Sequence, residues 1–153
     1  MGAPISAQAA ARKLCERSDW MLTNLELQKM LYLAQMVFMG QNNGERLFNG
    51  IFEAWDYGPV VPDVYSQVRA FGSAPIKNVF HVAGSISDDA RRTMLEQAYD
   101  QLSTKTAGQL VNITHWSKGA WAKNYRPGVK GIIIPDEDIL REARDRDALR
   151  TAR

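Results

Sequence analysis

Apolar residues recur at helical spacing along most of the chain, and the clearest repeat begins after Thr23. Residues 23–26 read Thr-Asn-Leu-Glu, a capping box in which the threonine hydroxyl accepts the N3 amide and the glutamate reaches back to the cap amide. The apolar stripe that follows consists of Leu27, Met30, Leu31, Ala34, Val37 and Phe38. This spacing predicts a helix, which we expect Gly40 to end in the left-handed conformation.

The same periodicity predicts helices over the rest of the chain. A helix over residues 6–18 would bury Ala7, Ala11, Leu14, Cys15 and Ser18 on one face. Pro62 suits the first position of a helix over 63–71, which Gly72 would end. Further helices are predicted over 88–102 with Ser87 as its cap, 107–116, 119–125 and 136–153.

Strand patterns are short and few. Residues 51–55 alternate loosely, 131–135 form a brief β-branched run, and 79–82 are a third candidate. The pattern therefore predicts a mainly α fold: a single globular helical domain over residues 1–153 with two or three short β-strands and a charge-rich C-terminal helix at 136–153.

Composition narrows the class of protein. The chain has 153 residues, of which 45% are hydrophobic and 24% charged, values typical of a folded domain and not of a disordered one. The single cysteine excludes an internal disulfide and a multi-cysteine zinc site. No run approaches 18 apolar residues, so we expect no membrane partner. We expect a cytoplasmic protein.

Catalytic motifs are missing from the sequence. Cys15 could serve as a nucleophile with His81 or His115 as its base, but it adjoins Leu14 on a predicted apolar face, where cysteine is most often a small hydrophobe. His81 and His115 are too far apart to form a metal-ligand pair at helical spacing, and the chain carries no phosphate-binding glycine motif. We therefore predict no enzymatic activity, no cofactor and no metal.

One stretch, the basic window (residues 101–135), contains no acidic residue. It carries Lys105, Lys118, Lys123, Arg126 and Lys130, interleaved with His115, Trp116, Trp121 and Tyr125. Such a pattern suits a nucleic-acid strand or an acidic protein surface. Alternatively, the tryptophan rings belong to the core and the lysines are only solvated.

Two further segments are open to two interpretations. Gln28, Tyr32, Gln35 and Met39 form a second stripe on the helix after Thr23, either an interface or a second core face. The segment Trp55–Pro62 is stiff and aromatic, which suits a structural corner or a rigid contact surface. We expect Trp55 itself to be a core ring, so that its truncation unfolds the domain.

These segments resemble the signatures of the Panacea domain family of SocA-like and GepA-like antitoxins. Residues 22–35 read LTNLELQKMLYLAQ, where the family typically reads LTNLKLQKLLYFAQ. Residues 52–65 read FEAWDYGPVVPDVY, similar to the family's EAW-x-YGPVVP-x-VY. A weaker match places Thr114, His115 and Trp121 on the family's TH-x-x-x-x-PW, with Ala120 in place of the proline.

The resemblance implies an antitoxin of a bacterial or prophage toxin–antitoxin system, which neutralises a cognate protein toxin by direct binding. A narrower expectation is a proteolytic adaptor that delivers the toxin to a ClpXP-type protease. The alternative drawn from the residues is a nucleic-acid-binding regulator that uses the basic window. The candidate partner-binding residues are Gln28, Tyr32, Gln35, Tyr57, Pro59, Tyr65, His115, Lys118, Trp121, Lys123 and Lys130.

Overall fold

The computed structural model describes residues 2–151, with side chains described as far as Leu149. Its helices are α1 (Ala7–Arg17), α2 (Asn24–Gln41), α3 (Pro62–Val68), α4 (Asp89–Leu102), α5 (Ala107–Thr114), α6 (Ala120–Asn124) and α7 (Asp136–Thr151). Its strands are β1 (Ile5–Ser6), β2 (Phe48–Asn49), β3 (Phe52–Trp55), β4 (Gly58–Val60) and β5 (Ile133–Ile134). The predicted mainly α fold class is confirmed. The last two residues of the predicted C-terminal helix, 152–153, lie outside the described residues.

Helix α2 is the centre of the fold, because α1, α4, α5 and α7 all pack around it. The capping box is present, with the Thr23 hydroxyl accepting from Glu26 N and the Glu26 side chain accepting from the Thr23 amide. Both stripes of α2 are buried except at Val37, which is 38% exposed, so the helix has little polar surface left. A helix that is apolar on most sides belongs in a core.

The second stripe of α2 is a core face, and the interface interpretation does not describe it. Gln28 Oε1 accepts from Val61 N at 2.8 Å, and Gln35 Oε1 accepts from the amides of Leu47 and Phe48. The Tyr32 hydroxyl donates to Glu142 Oε1 at 2.6 Å. Buried polar groups need such partners, so Gln28, Tyr32 and Gln35 hold neighbouring segments against α2; Gln28 also lines the groove described below, whereas Tyr32 and Gln35 do not.

A three-stranded antiparallel sheet in the order β4-β3-β5 lies beside the helices. β3 and β4 form a hairpin in which Trp55 pairs with Gly58, so Asp56 and Tyr57 make its turn. β5 joins the other edge, with Phe52 opposite Ile134. β1 and β2 form a separate parallel pair. This hairpin is the element that positions the site.

Several predicted element ends and one predicted strand are wrong. Gly40 stays inside α2, where its missing side chain lets α7 approach: a Cβ there would lie 2.8 Å from Ala143 Cβ. The chain turns instead at Asn43 and Gly44, both with positive φ.

Asp88, and not Ser87, caps α4 by accepting from Arg91 N. Residues 79–82 form turns and no strand.

Candidate functional site

A groove of about 590 Å³ opens between the start of α2, the β3–β4 hairpin, α3 and the loop at 128–130. We call it the Tyr57 groove, after the exposed residue at its mouth. Its apolar walls are made by Leu25, Trp55, Tyr57, Val60, Tyr65 and Val129. A volume of this size falls in the range of ligand and side-chain pockets, roughly 300–1,000 Å³.

Lys29 stands in the wall of the groove and is fully buried. Its Nζ donates to the backbone oxygen of Pro59 at 2.6 Å, and no carboxylate of the described residues pairs with it. Burial lowers the pKa of the Lys29 amine to about 7, because the charged form loses its hydration. The site therefore contains a buried amine without a counter-charge.

Gly58 is the position that lets the hairpin close over Lys29. Its φ of 113° is a conformation that side-chain-bearing residues rarely adopt. A Cβ at this position would lie 3.1 Å from Lys29 Nζ and 2.9 Å from Thr114 Oγ1. The close approach of the hairpin to α2 and α5 thus requires glycine directly after the turn.

A column of stacked rings braces the hairpin from behind. His115 stacks on Trp121 with ring centroids 3.7 Å apart, and Trp121 stacks on Tyr125 at 4.5 Å. Trp121 Nε1 donates to Trp55 O at 2.7 Å, and the Tyr125 hydroxyl donates to Asp56 Oδ1. The column therefore fixes the two residues that lead into the turn.

The histidine in this column is electrostatically coupled to the buried amine. Burial, and then the positive charge of Lys29, lower the pKa of His115 below its ordinary value. Its Nε2 is buried and has no hydrogen-bond partner within the described part of the chain. The ring is therefore neutral at neutral pH, and it faces Lys29 without compensating its charge.

The Tyr57 groove brings together some of the predicted partner-binding residues. Tyr57 is 71% exposed at the mouth, Tyr65 packs edge-to-face on Trp55 with centroids 4.7 Å apart, and Lys130 lies at the rim. Pro59 is buried and contributes its carbonyl to Lys29. Trp55 is only half-buried, so the prediction that it is a core ring is wrong: one side of the ring faces the groove.

The basic window is divided between core and surface. Trp121 is buried, whereas Lys118 is exposed. Lys123 Nζ pairs with the buried Asp138 at 2.8 Å, an acid that follows the window in sequence. Lys118 and Lys130 have no ion pair among the described residues. Two of the three candidate lysines are therefore free to meet a partner.

Sequence reasoning missed several groove residues, among them Leu25, Lys29, Val60 and Val129. Lys29 and Leu25 occur in the segment 22–35, where a lysine between helical apolar positions is expected to be solvated. The signal that could have identified Lys29 is its position between Gln28 and Met30. Each of these two residues belongs to one of the two stripes of α2, so Lys29 lies on the broad surface that the stripes form together. Only the packing of the hairpin onto α2 shows that the amine is enclosed.

Cys15 gains no support as a nucleophile. Its side chain is fully buried, and burial raises the pKa of the thiol to about 12, so it remains protonated at neutral pH. Within residues 2–151, no group of three His, Cys, Asp or Glu side chains is arranged to hold a metal ion. No helix in that range is long and apolar enough to cross a membrane.

Comparison with known proteins gives two matches. The family profile described as "Antitoxin SocA-like, Panacea domain" matches residues 27–122, which include most of the groove. "Antitoxin SocA" from Caulobacter vibrioides (strain NA1000 / CB15N) is 32% identical over 130 residues, which cover 76% of this chain and 69% of that protein. No solved structure matches the chain significantly.

Proposed function

This chain belongs to the Panacea domain family of SocA-like antitoxins, and on that premise we propose that it neutralises a cognate protein toxin by binding it directly. In this proposal the toxin is inhibited by direct contact and not by a chemical reaction, so the protein acts without enzymatic activity. We propose that it acts in the cytoplasm.

The Tyr57 groove is the observation that supports a binding role. Tyr57 is 71% exposed at the tip of a hairpin that is held by the Trp121 and Tyr125 side chains. A large exposed ring on a rigid element is typical of a binding hot spot, because little entropy is lost when a partner covers it. Val129, half-exposed across the groove, extends the apolar area.

The adaptor role is a narrower form of the same proposal. In that form, the bound toxin is delivered to a ClpXP-type protease and degraded. It predicts that the half-life of the toxin falls when the antitoxin is present and recovers when the protease is absent. An unchanged half-life during full neutralisation would limit the protein to inhibition by binding.

A nucleic-acid-binding regulator is the second candidate, supported by Lys105, Lys118, Arg126 and Lys130. All four are exposed and lie in a stretch without acidic residues. Binding through such side chains is mainly phosphate contact, so affinity would fall steeply between about 50 and 200 mM salt. Measurement of duplex affinity over that range separates this candidate from the first.

Co-expression with the product of a neighbouring open reading frame tests the antitoxin proposal. We expect the wild-type protein to restore growth that the neighbour abolishes, and we expect Tyr57→Ala to restore it less well. Val82→Ala is the matched control, because Val82 is 99% exposed and lies outside the groove. If no neighbouring product is toxic, or if the soluble folded protein never restores growth, the proposal is wrong.

A further inference from the structure

The buried charge of Lys29 lacks an explanation within the folded chain. A lysine ammonium has three donors, and one of them is used, by the carbonyl of Pro59. Fully buried lysines are normally paired with an acid, because the unpaired charge is costly to desolvate. The neighbouring titratable side chain at the end of α5, His115, is cationic when protonated and so opposes the charge of Lys29.

The groove in front of Lys29 is apolar and has an excess of positive charge. Lys130 lies at its rim, exposed and without an ion pair in residues 2–149. Asp56, the acid that lines the groove, already accepts the hydroxyl of Tyr125. The groove thus offers two lysine amines, of which Lys29 is only partly protonated near neutral pH, and one carboxylate that is already engaged by a donor.

We propose that the Tyr57 groove receives an apolar segment of the partner toxin that carries a carboxylate, with Lys29 behind the wall and Lys130 at the rim as its counter-charges. The inference rests on the proposed antitoxin function. The apolar walls would hold the hydrophobic side chain of that segment. Because Lys29 is enclosed, it acts through a wall of low dielectric, where a charge is screened less than it is in water.

The proposal predicts that binding takes up protons. The groups that face Lys29 and the groove are His115, Asp56, Tyr57, Tyr65 and Lys130. In the free protein the pKa of Lys29 is about 7, and a carboxylate held nearby raises it. The complex therefore binds more protons than its free components near neutral pH, and affinity falls as the pH rises from 6.5 to 8.5.

A small carboxylate probe tests the site without the toxin. We expect 3-phenylpropionate to bind saturably and to quench or shift the fluorescence of Trp55, and we expect the neutral 3-phenylpropionamide to bind at least about tenfold more weakly. Lys29→Met should lose this preference. Lys105→Met should keep it, because Lys105 is exposed and does not line the groove. Equal binding of acid and amide would overturn the proposal.

The toxin provides a second test that separates the inference from the proposed function. We expect the wild-type protein to bind its toxin with net proton uptake, measured by calorimetry at pH 7 in phosphate and Tris buffers, and this measurement needs no variant. Tight binding with no proton uptake and no loss in Lys29→Met would refute the role of Lys29 and leave the antitoxin function standing. Failure of the wild type to bind any neighbouring toxin would refute the antitoxin function instead.

Discussion

Replacement of Lys29 by methionine should make the protein more stable, although it removes a side chain from the centre of the site. Methionine has nearly the length of lysine and no charge, so it can fill the same space against Gly58 and Thr114. The change removes an amine that is buried without a carboxylate. It also leaves the carbonyl of Pro59 without its donor.

The size of the expected gain in stability follows from the pKa of the Lys29 amine. Its fall from 10.5 to about 7 corresponds, at ~1.36 kcal/mol per unit, to about 5 kcal/mol of destabilisation near neutral pH. The unpaired carbonyl of Pro59 costs about 1–3 kcal/mol. The balance is a gain of about 2–4 kcal/mol in the free energy of unfolding, large beside a typical total of roughly 5–15 kcal/mol.

The dependence on pH gives an independent check of the same reasoning. The pKa of Lys29 is lower in the folded state than in the unfolded state, so between pH 7 and 10 the unfolded chain binds more protons. Stability due to Lys29 therefore rises with pH in that window, by up to ~1.4 kcal/mol per unit. Cys15 acts in the opposite direction above pH 9, because its pKa is raised on folding. The usable window is thus pH 7 to 8.5.

Urea unfolding monitored by tryptophan fluorescence at pH 7.0, 7.75 and 8.5 measures both effects. We expect the wild type to gain stability across this series, and we expect Lys29→Met to start higher and change less. Lys29→Met removes one of the two causes that lower the pKa of His115, but burial still holds that pKa below its ordinary value, so the folded-state histidine is mostly neutral across this series in both proteins. Two results would contradict this reasoning: a Lys29→Met protein that is less stable than wild type at pH 7, or one whose free energy of unfolding rises with pH as steeply as that of wild type. Either result would show that other groups in the folded protein already stabilise the charge of the Lys29 amine.

Two other changes test the surface and the thiol. The double variant Lys118→Glu, Lys130→Glu should remain folded and should associate more slowly with an acidic toxin surface, because exposed charges act mainly on the association rate. Surface plasmon resonance measures that rate. Lys123 is left unchanged, since its reversal would place two acids together at Asp138. Loss of salt-dependent duplex binding with an unchanged association rate would favour the nucleic-acid alternative. Cys15→Ala should cost about 1–2 kcal/mol of stability and leave growth rescue intact; a folded Cys15→Ala protein that fails to rescue would restore the nucleophile hypothesis.

Helices were predictable because their signals are local. The capping box at Thr23 and Glu26 and the proline that opens α3 each depend on residues within one turn of the helix end. The short strands carry no comparable signal. β1 pairs with β2 through Ile5 and Phe48, which are far apart in sequence, and two residues are too few for an alternating pattern.

The site was only partly predictable, for a related reason. Tyr57 belongs to the stiff aromatic segment Trp55–Pro62 and can be identified from composition, whereas Tyr65 is identified only through the resemblance of residues 52–65 to the Panacea signature. Lys29 could not, because its burial depends on a hairpin whose residues begin more than 20 positions later. Pro59 was identified for its rigid ring, yet its contribution to the site is a carbonyl oxygen. Sequence patterns identify residue types, whereas the roles of backbone atoms depend on tertiary packing.

The stacked column shows how residues that no partner touches can still determine affinity. Trp121 and Tyr125 each donate one hydrogen bond to the residues that lead into the turn, and a turn held in this way is rigid before any partner binds. A partner that covers Tyr57 then loses less conformational entropy than it would against a mobile loop. The unpaired charge of Lys29 lowers stability, and a bound carboxylate would recover that cost. The rigid hairpin and the unpaired charge of Lys29 thus act together, because both favour the complex with a partner over the free protein.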